Sequence, residues 1–159
     1  MTYIETLFLY NWTIRDRWID WCRDISRDEL IKERVGGHKG FLQTMFHVID
    51  VEQRWLRGLA EDTPINYSYS DYKTLDSIQT FSNQTKQHTL GFVQADIDLN
   101  QKVLRGKNSK GEDFAYRYDE VLLHVIAHET HHMGQLSVWA RELGKEPVSA
   151  NLIGLELLK

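Results

Sequence analysis

A histidine-bearing helical pattern near the C-terminal end constrains this sequence most. Between residues 118 and 143, apolar side chains and two histidines recur at steps of three and four residues: Val121, Val125, His128, His132, Leu136, Trp139 and Leu143. The spacing predicts one amphipathic helix with both histidines in the middle of its buried face. Imidazoles four residues apart lie on one side of a helix, so both can reach a single metal ion. A purely structural role would require two desolvated, hydrogen-bonded rings, so we favour metal ligation for His128 and His132.

The rest of the chain predicts helices around this one. Apolar stripes predict three further helices over 3–25, 40–59 and 74–98, separated by a glycine-rich loop before residue 40 and a polar loop over 60–73. Short alternating runs around a Gly-Lys-Asn-Ser-Lys-Gly turn predict a small β-hairpin over 101–117. A length of 159 residues fits a single domain spanning 1–159.

Composition argues against several classes of function. The net charge of −4 provides no general basic field, so we expect no nucleic-acid partner. No apolar run is long enough to cross a bilayer, and the first residues lack a positively charged leader, so we expect a cytoplasmic protein without a membrane partner. The single cysteine, Cys22, excludes an internal disulfide, and its position beside Trp21 favours a buried, inert thiol.

Residues 128–132 also match the H-E-x-x-H pattern of zinc proteases, in which Glu129 would be the general base. The extended form of that pattern needs a histidine where this chain has Val138, and no strong sheet precedes the motif to align a peptide. A protease would have to take its third ligand from the downstream glutamates Glu142, Glu146 or Glu156. We therefore regard a metalloprotease as the weaker interpretation.

An upstream histidine is the other source of a third ligand. His47 lies beside the apolar stripe of the second predicted helix, and His88 lies on the stripe of the third as its rival. The neighbours of His88, Thr85 and Thr89, favour a hydrogen-bonded core histidine instead.

Several polar residues near these positions have open roles. Asn11 either bonds a neighbouring helix, which we favour, or contacts a substrate, and Asp50 either orients the His47 ring or is an ordinary surface residue. His124 is a candidate to support the ligands, His131 is expected to face solvent or a partner chain, and His38 is expected to be solvated.

Three segments, LYNW at 9–12, HVIDVEQRW at 47–55 and HVIAHETHHMGQL at 124–136, follow one another in an order that resembles the DinB/YfiT-like family of four-helix metalloproteins. The resemblance implies an all-α fold, an up-down-down-up type four-helix bundle with a small β-hairpin before the last helix. It also implies a divalent metal bound by His47, His128 and His132, and a homodimer packed through helices. Characterised members include thiol-dependent S-transferases and isomerases that use bacillithiol, mycothiol or glutathione.

Three neutral imidazoles leave one or more coordination positions open, as catalytic metal sites do. We therefore expect a divalent metal, zinc or nickel in the first place, acting on a small-molecule substrate with a low-molecular-weight thiol as possible cosubstrate. The reaction expected is thiol-dependent S-transfer or a related metal-dependent hydrolysis or transfer. The alternative is a bundle that the metal only stabilises, without turnover, so whether the protein is an enzyme stays open at this stage.

Overall fold

The computed structural model describes residues 1–158. Within that range the protein is mostly helical, with a small antiparallel hairpin, in agreement with the predicted fold class at this level of detail. The α-helices are α1 (Tyr3–Cys22), α2 (Arg27–Ile31), α3 (Phe41–Leu59), α4 (Leu75–Val93) and α5 (Tyr118–Glu142), and the strands are β1 (Val103–Lys107) and β2 (Asp113–Arg117). A single 3₁₀ turn, Tyr69–Asp71, lies in the loop before α4.

The four long helices correspond to the four that the apolar stripes predict. The first and third predicted helices end early, at Cys22 and Val93, and the short helix α2 lies in a segment where none is predicted. α4 begins with a capping box, in which the Thr74 hydroxyl accepts from the Ser77 backbone N–H and the Ser77 hydroxyl accepts from that of Thr74. These caps satisfy N–H groups that the first turn leaves unpaired, so they fix where the helix starts.

The apolar core has two parts. The first lies around Trp18, Phe41, Met45 and Trp139, and the second around Phe8, Leu56, Val121 and Val125. Both parts draw on α1, α3, α4 and α5, so the long helices pack against one another at two levels along their length. Among residues 1–158, no helix combines the length and the apolar character needed to span a bilayer.

Cys22 is buried in the first part of the core, as its sequence neighbourhood predicts. Burial raises the pKa of its thiol to about 12. The thiolate is therefore not formed at neutral pH, and the chain offers no nucleophilic cysteine.

A buried ionic network separates the two apolar parts along each helix. The Arg15 guanidinium donates from Nε to Glu129 Oε1 at 2.7 Å and from Nη2 to Glu129 Oε2 at 2.6 Å. It also donates to Glu52 through Nη2 and to Ser82 Oγ through Nη1. Thr89 donates to Glu52 Oε1 at 2.7 Å, so α1, α3, α4 and α5 all contribute to one cluster.

The electrostatics of this network depend on Arg15. Burial raises the pKa of the Glu129 carboxyl, and the charge and hydrogen bonds of Arg15 oppose that shift. The pKa of Arg15 lies above its ordinary value because the attraction of Glu129 and Glu52 outweighs the effect of burial. The sequence patterns single out none of these residues as partners, although Glu129 lies within the H-E-x-x-H match.

Replacing Arg15 with methionine is expected to destabilise the fold strongly. Arg15→Met leaves two buried carboxylates without their cation, and breaking a buried ion pair from one side costs about 3–5 kcal/mol. Urea denaturation followed by circular dichroism measures the change. Arg117→Met is the matched control, because Arg117 pairs with Asp119 on the surface, and it should leave the midpoint close to wild type. Equal midpoints for the two variants would contradict a central role for Arg15.

Candidate metal centre

Three histidine side chains from two helices converge on one point. α3 supplies His47, and α5 supplies His128 and His132 one turn apart. The Nε2 atoms of His47 and His128 lie 3.1 Å apart, and those of His128 and His132 lie 3.2 Å apart. All three candidate ligand nitrogens lie within 4.8 Å of one another. The family resemblance implied this set of three, and the fold brings the three side chains together.

The protonation state of the three rings suits metal ligation. Burial, followed by the charges of His38 and the other cluster histidines, lowers the pKa of His47 to about 3. Burial and the neighbouring histidines lower the pKa of His128 to about 4, and burial is also the largest cause of a lowered pKa at His132. All three imidazoles are therefore neutral near pH 7, which is the form that binds metals.

The hydrogen bond of His132 determines which of its nitrogens is free. Its Nδ1 lies 2.7 Å from the amide oxygen of Gln135, which can only accept, so Nδ1 carries the proton and Nε2 has a lone pair. The Gln135 amide nitrogen in turn donates to His131 Nε2 at 3.2 Å. Gln135 thus orients a cluster histidine in the way that supporting residues around metal ligands do. None of the sequence motifs singles out Gln135, although its position three residues after His132 on the same helix is a usable signal.

The spacing of the nitrogens fits a tetrahedral ion. Two nitrogens bound to zinc at 2.0–2.1 Å in tetrahedral geometry lie about 3.3 Å apart. The observed separations of 3.1 and 3.2 Å are close to that value. Among residues 1–158, the cluster contains no carboxylate or cysteine, so the protein supplies three nitrogen donors and leaves the remaining positions free. The arrangement is compatible with a divalent metal of open coordination.

His38 covers one ligand ring. It is exposed, as predicted, but its ring also stacks on His47 with centroids 4.2 Å apart and planes 7° apart, which was not predicted. The loop carrying it packs closely on α5, because a Cβ at Gly37 would lie 2.6 Å from the Trp139 ring. Gly37 also has φ +57, a left-handed conformation that favours glycine. The two glycines before His38 are the sequence feature that could have indicated this close approach.

Two residues with open roles prove to have structural partners. The Asp50 carboxylate accepts from Gln53 Nε2 at 2.9 Å and from Arg54 Nε at 3.1 Å, and within residues 1–158 it makes no hydrogen bond to His47. Asn11 donates to the Ile126 carbonyl at 3.0 Å and accepts from the Thr130 hydroxyl at 3.2 Å. Asn11 therefore joins α1 to α5, as the favoured interpretation predicts, and Asp50 does not orient the His47 ring.

The other candidate histidines lie outside the cluster. His88 Nε2 is 2.7 Å from Asp62 Oδ2, so the rival third ligand is hydrogen-bonded, as predicted, but it is half-buried and faces the start of the loop after α3 instead of the core. His124 and His131 are exposed on α5. The His124 ring lies 5.9 Å from the Trp55 ring and 6.2 Å from the His128 ring, which puts it beside the cluster and not in it.

Glu129 does not have the geometry of a protease general base. It is 1% exposed, and both of its carboxylate oxygens accept from Arg15 in the core. A general base must lie within hydrogen-bond reach of a metal-bound water, and the hydrogen bonds to Arg15 hold both oxygens of this carboxylate in the core. The H-E-x-x-H match therefore reflects two ligand candidates flanking a core residue.

Without metal, the protein is expected to lose stability as the pH falls from about 6.5 towards about 3. In that window an unfolded chain binds a proton at His47 that the folded protein does not, so acid favours unfolding. Urea midpoints in chelator at several pH values measure the slope. His47→Gln should flatten it, whereas His124→Gln, at an exposed position, should keep it; identical slopes for wild type and His47→Gln would refute this account.

Comparisons with known proteins show to which family the whole chain is related. The family model described as "DinB family" matches residues 1–157. A protein of Bacillus subtilis (strain 168) described as "Uncharacterized protein YizA" is 42% identical over 151 residues, which cover 94% of each chain. These matches confirm the resemblance drawn from the three sequence motifs, and the chain belongs to the DinB family.

Proposed function

We propose that this protein binds one divalent metal ion through the Nε2 atoms of His47, His128 and His132 and acts on a small molecule at the open coordination positions. The observation that carries the proposal is the convergence of three neutral imidazoles from α3 and α5. Zinc or nickel is the proposed metal, because imidazole donors suit both. A metal bound there supplies a Lewis acid that lowers the pKa of a bound water or thiol.

The favoured reaction is transfer to a low-molecular-weight thiol. Among residues 1–158, the two nucleophiles that the sequence suggested are both occupied or inaccessible: Cys22 is buried with its pKa raised to about 12, and Glu129 is held by Arg15. We therefore favour a nucleophile that arrives from solution, as a thiol or as water. In the thiol reaction, sulfur forms a bond to an electrophilic carbon, the leaving group departs with its electron pair, and the thiol proton passes to solvent. Hydrolysis by water at the same three histidines is the related possibility.

A metal-stabilised bundle without turnover is the second candidate. Its support is that the cluster joins α3 to α5, so an ion there would hold these two helices together whatever else it does. Binding to the folded state alone would stabilise the protein by mass action. This candidate shares every ligand with the first and differs only in whether substrate reaches the ion.

We also propose that the four long helices run up-down-down-up. α1 and α3 are antiparallel, because Trp21 contacts Phe41 whereas the earlier Trp12 contacts the later Glu52. α3 and α4 are parallel, because the contacts Phe46–Phe81 and Glu52–Thr89 advance together along both helices. α1 and α5 are parallel for the same reason, through Asn11–Ile126 and Arg15–Glu129.

The proposed assembly is a cytoplasmic homodimer packed through helices. Leu123 and Val138 on α5 support it, because they are 48% and 56% exposed on a helix whose opposite side is buried. The absence of a disulfide-forming cysteine pair fits a reducing compartment.

Protein purified without a metal-affinity step is expected to contain about one divalent ion per chain, because the three ligands form one site. Elemental analysis measures the content. His47→Ala should lose most of the metal, whereas His88→Ala, which removes a histidine outside the cluster, should retain it. Full metal content in His47→Ala would mean that His47 is not a ligand.

Metal-loaded protein is expected to accelerate conjugation of 1-chloro-2,4-dinitrobenzene with bacillithiol, mycothiol or glutathione, and chelation should abolish the acceleration. Absorbance of the conjugate measures the rate, and thermal melting measures stability on the same samples. Metal-dependent stabilisation without conjugation of this or other model electrophiles, and without metal-dependent hydrolysis of model esters, would instead support the non-catalytic bundle.

A further inference from the structure

A cavity of about 590 Å³ lies beside the metal centre, between the β-hairpin and helices α3 and α5. Its volume falls within the range of about 300–1,000 Å³ that is typical of small-molecule sites. The side chains that define it come from all three elements: Trp55, Lys107, Phe114, Tyr116, Val121 and His124. The motifs of the sequence analysis assign no role to the hairpin that forms its roof.

Planar rings dominate the walls of this cavity. Phe114 and Tyr116 on β2 are stacked with centroids 5.0 Å apart and planes 12° apart, so they present a flat surface. The Trp55 ring faces His124 edge-on from the α3 side. Within residues 1–158 the indole N–H of Trp55 makes no hydrogen bond, so it is free to donate to a ligand. Walls of this kind favour a planar, mainly apolar group with one acceptor.

The charges at the rim select against an ionised ligand. Lys107 is paired with Asp113, with Nζ 2.7 Å from Oδ1 on the hairpin surface. Glu120 is exposed at the other side of the cavity and would repel an anion. Because the one lysine is already paired and the carboxylate at the rim is negative, a neutral ring system fits better than a carboxylate or a phosphate.

The cavity is adjacent to the three-histidine cluster along two helices. His124 lines the cavity and lies one turn before His128, with ring centroids 6.2 Å apart. Trp55 likewise follows His47 by two turns on α3. A molecule seated between the hairpin and Trp55 can therefore extend past His124 to the cluster without a change of fold.

We propose that this cavity binds a neutral, planar aromatic group, and that it holds the non-reacting part of the substrate while the reacting atoms lie at His47, His128 and His132. The second half of the proposal rests on the proposed function; the first half does not. Together the two halves limit the substrate class to small molecules that carry an uncharged ring system next to the electrophilic centre.

Titration with N-phenyl-1-naphthylamine, a neutral aromatic fluorophore, tests the cavity in metal-free full-length protein. Saturable binding at one site per chain is expected. Tyr116→Ala should weaken it about ten-fold, equivalent to about 1.4 kcal/mol, because half of the stacked wall is removed. Tyr3→Ala is the matched control, since Tyr3 is an exposed tyrosine that does not line the cavity, and it should bind like wild type. Circular dichroism and thermal melting confirm that each variant is folded.

Absence of saturable binding, or equal affinity in wild type and Tyr116→Ala, would overturn the cavity assignment. Occupation of the cavity by a second copy of the chain would also overturn it, and would show as probe binding that falls as protein concentration rises.

A second measurement tests the link to the metal centre. Co²⁺ added to the probe complex should broaden the proton resonances of the bound probe, and His128→Ala, which removes a proposed metal ligand, should remove the broadening at probe concentrations that saturate the variant. Bound probe that Co²⁺ leaves sharp, in protein shown to contain the ion, would overturn the link. Failure of Co²⁺ to bind at all would instead count against the proposed function, and the metal-free titration would still decide the cavity.

Discussion

The buried guanidinium of Arg15 is the constraint on which the rest of the structure depends. It bridges Glu52 on α3 and Glu129 on α5 in a part of the core that is closed to water. Each carboxylate is a close sequence neighbour of a cluster histidine: Glu129 follows His128 directly, and Glu52 lies five residues after His47. Because Arg15 holds both carboxylates at the same level of the bundle, it also aligns α3 with α5 along their axes. That alignment brings His47 close to His128.

The geometry of α5 lets one short segment serve two purposes. Consecutive residues of an α-helix point about 100° apart, so His128 and Glu129 face different surroundings. Glu129 turns into the core and is paired with Arg15, while His128 faces α3 and lies half-buried beside the open cavity. Such a polar core is not the most stable option in general, since apolar residues of similar size often stabilise as well or better. Here the ion pair joins α1 to the stretches of α3 and α5 that carry the cluster histidines, so it supports the helix alignment in which the cluster is assembled.

Much of the fold and the centre of the site could be predicted from the sequence, and the reasons are local. Helical periodicity carries the positions of the four long helices, and a four-residue spacing puts His128 and His132 on one face before any tertiary information is used. Identifying His47 rather than His88 as their partner required the family resemblance, because both lie near apolar stripes and only tertiary packing distinguishes them.

Other features could not be predicted. The role of Asp50 is one of them, since its partners Gln53 and Arg54 lie on the same helix and compete for its carboxylate. The Arg15 network could not be predicted, because a charged residue on a helix is normally expected at the surface. A pair of residues 114 positions apart also produces no periodic pattern in the sequence. The stacking of His38 on His47 was equally inaccessible, as it depends on how a glycine-rich loop folds back onto Trp139.

The burial of Cys22 has a consequence for how such a protein withstands oxidising conditions. Formation of a mixed disulfide requires an accessible thiolate, and the one thiol of this chain is enclosed between helices and kept protonated. Oxidised low-molecular-weight disulfides therefore have no point of attack on the folded polypeptide. A shift in the thiol–disulfide balance of its surroundings would therefore leave the folded polypeptide unmodified at its cysteine.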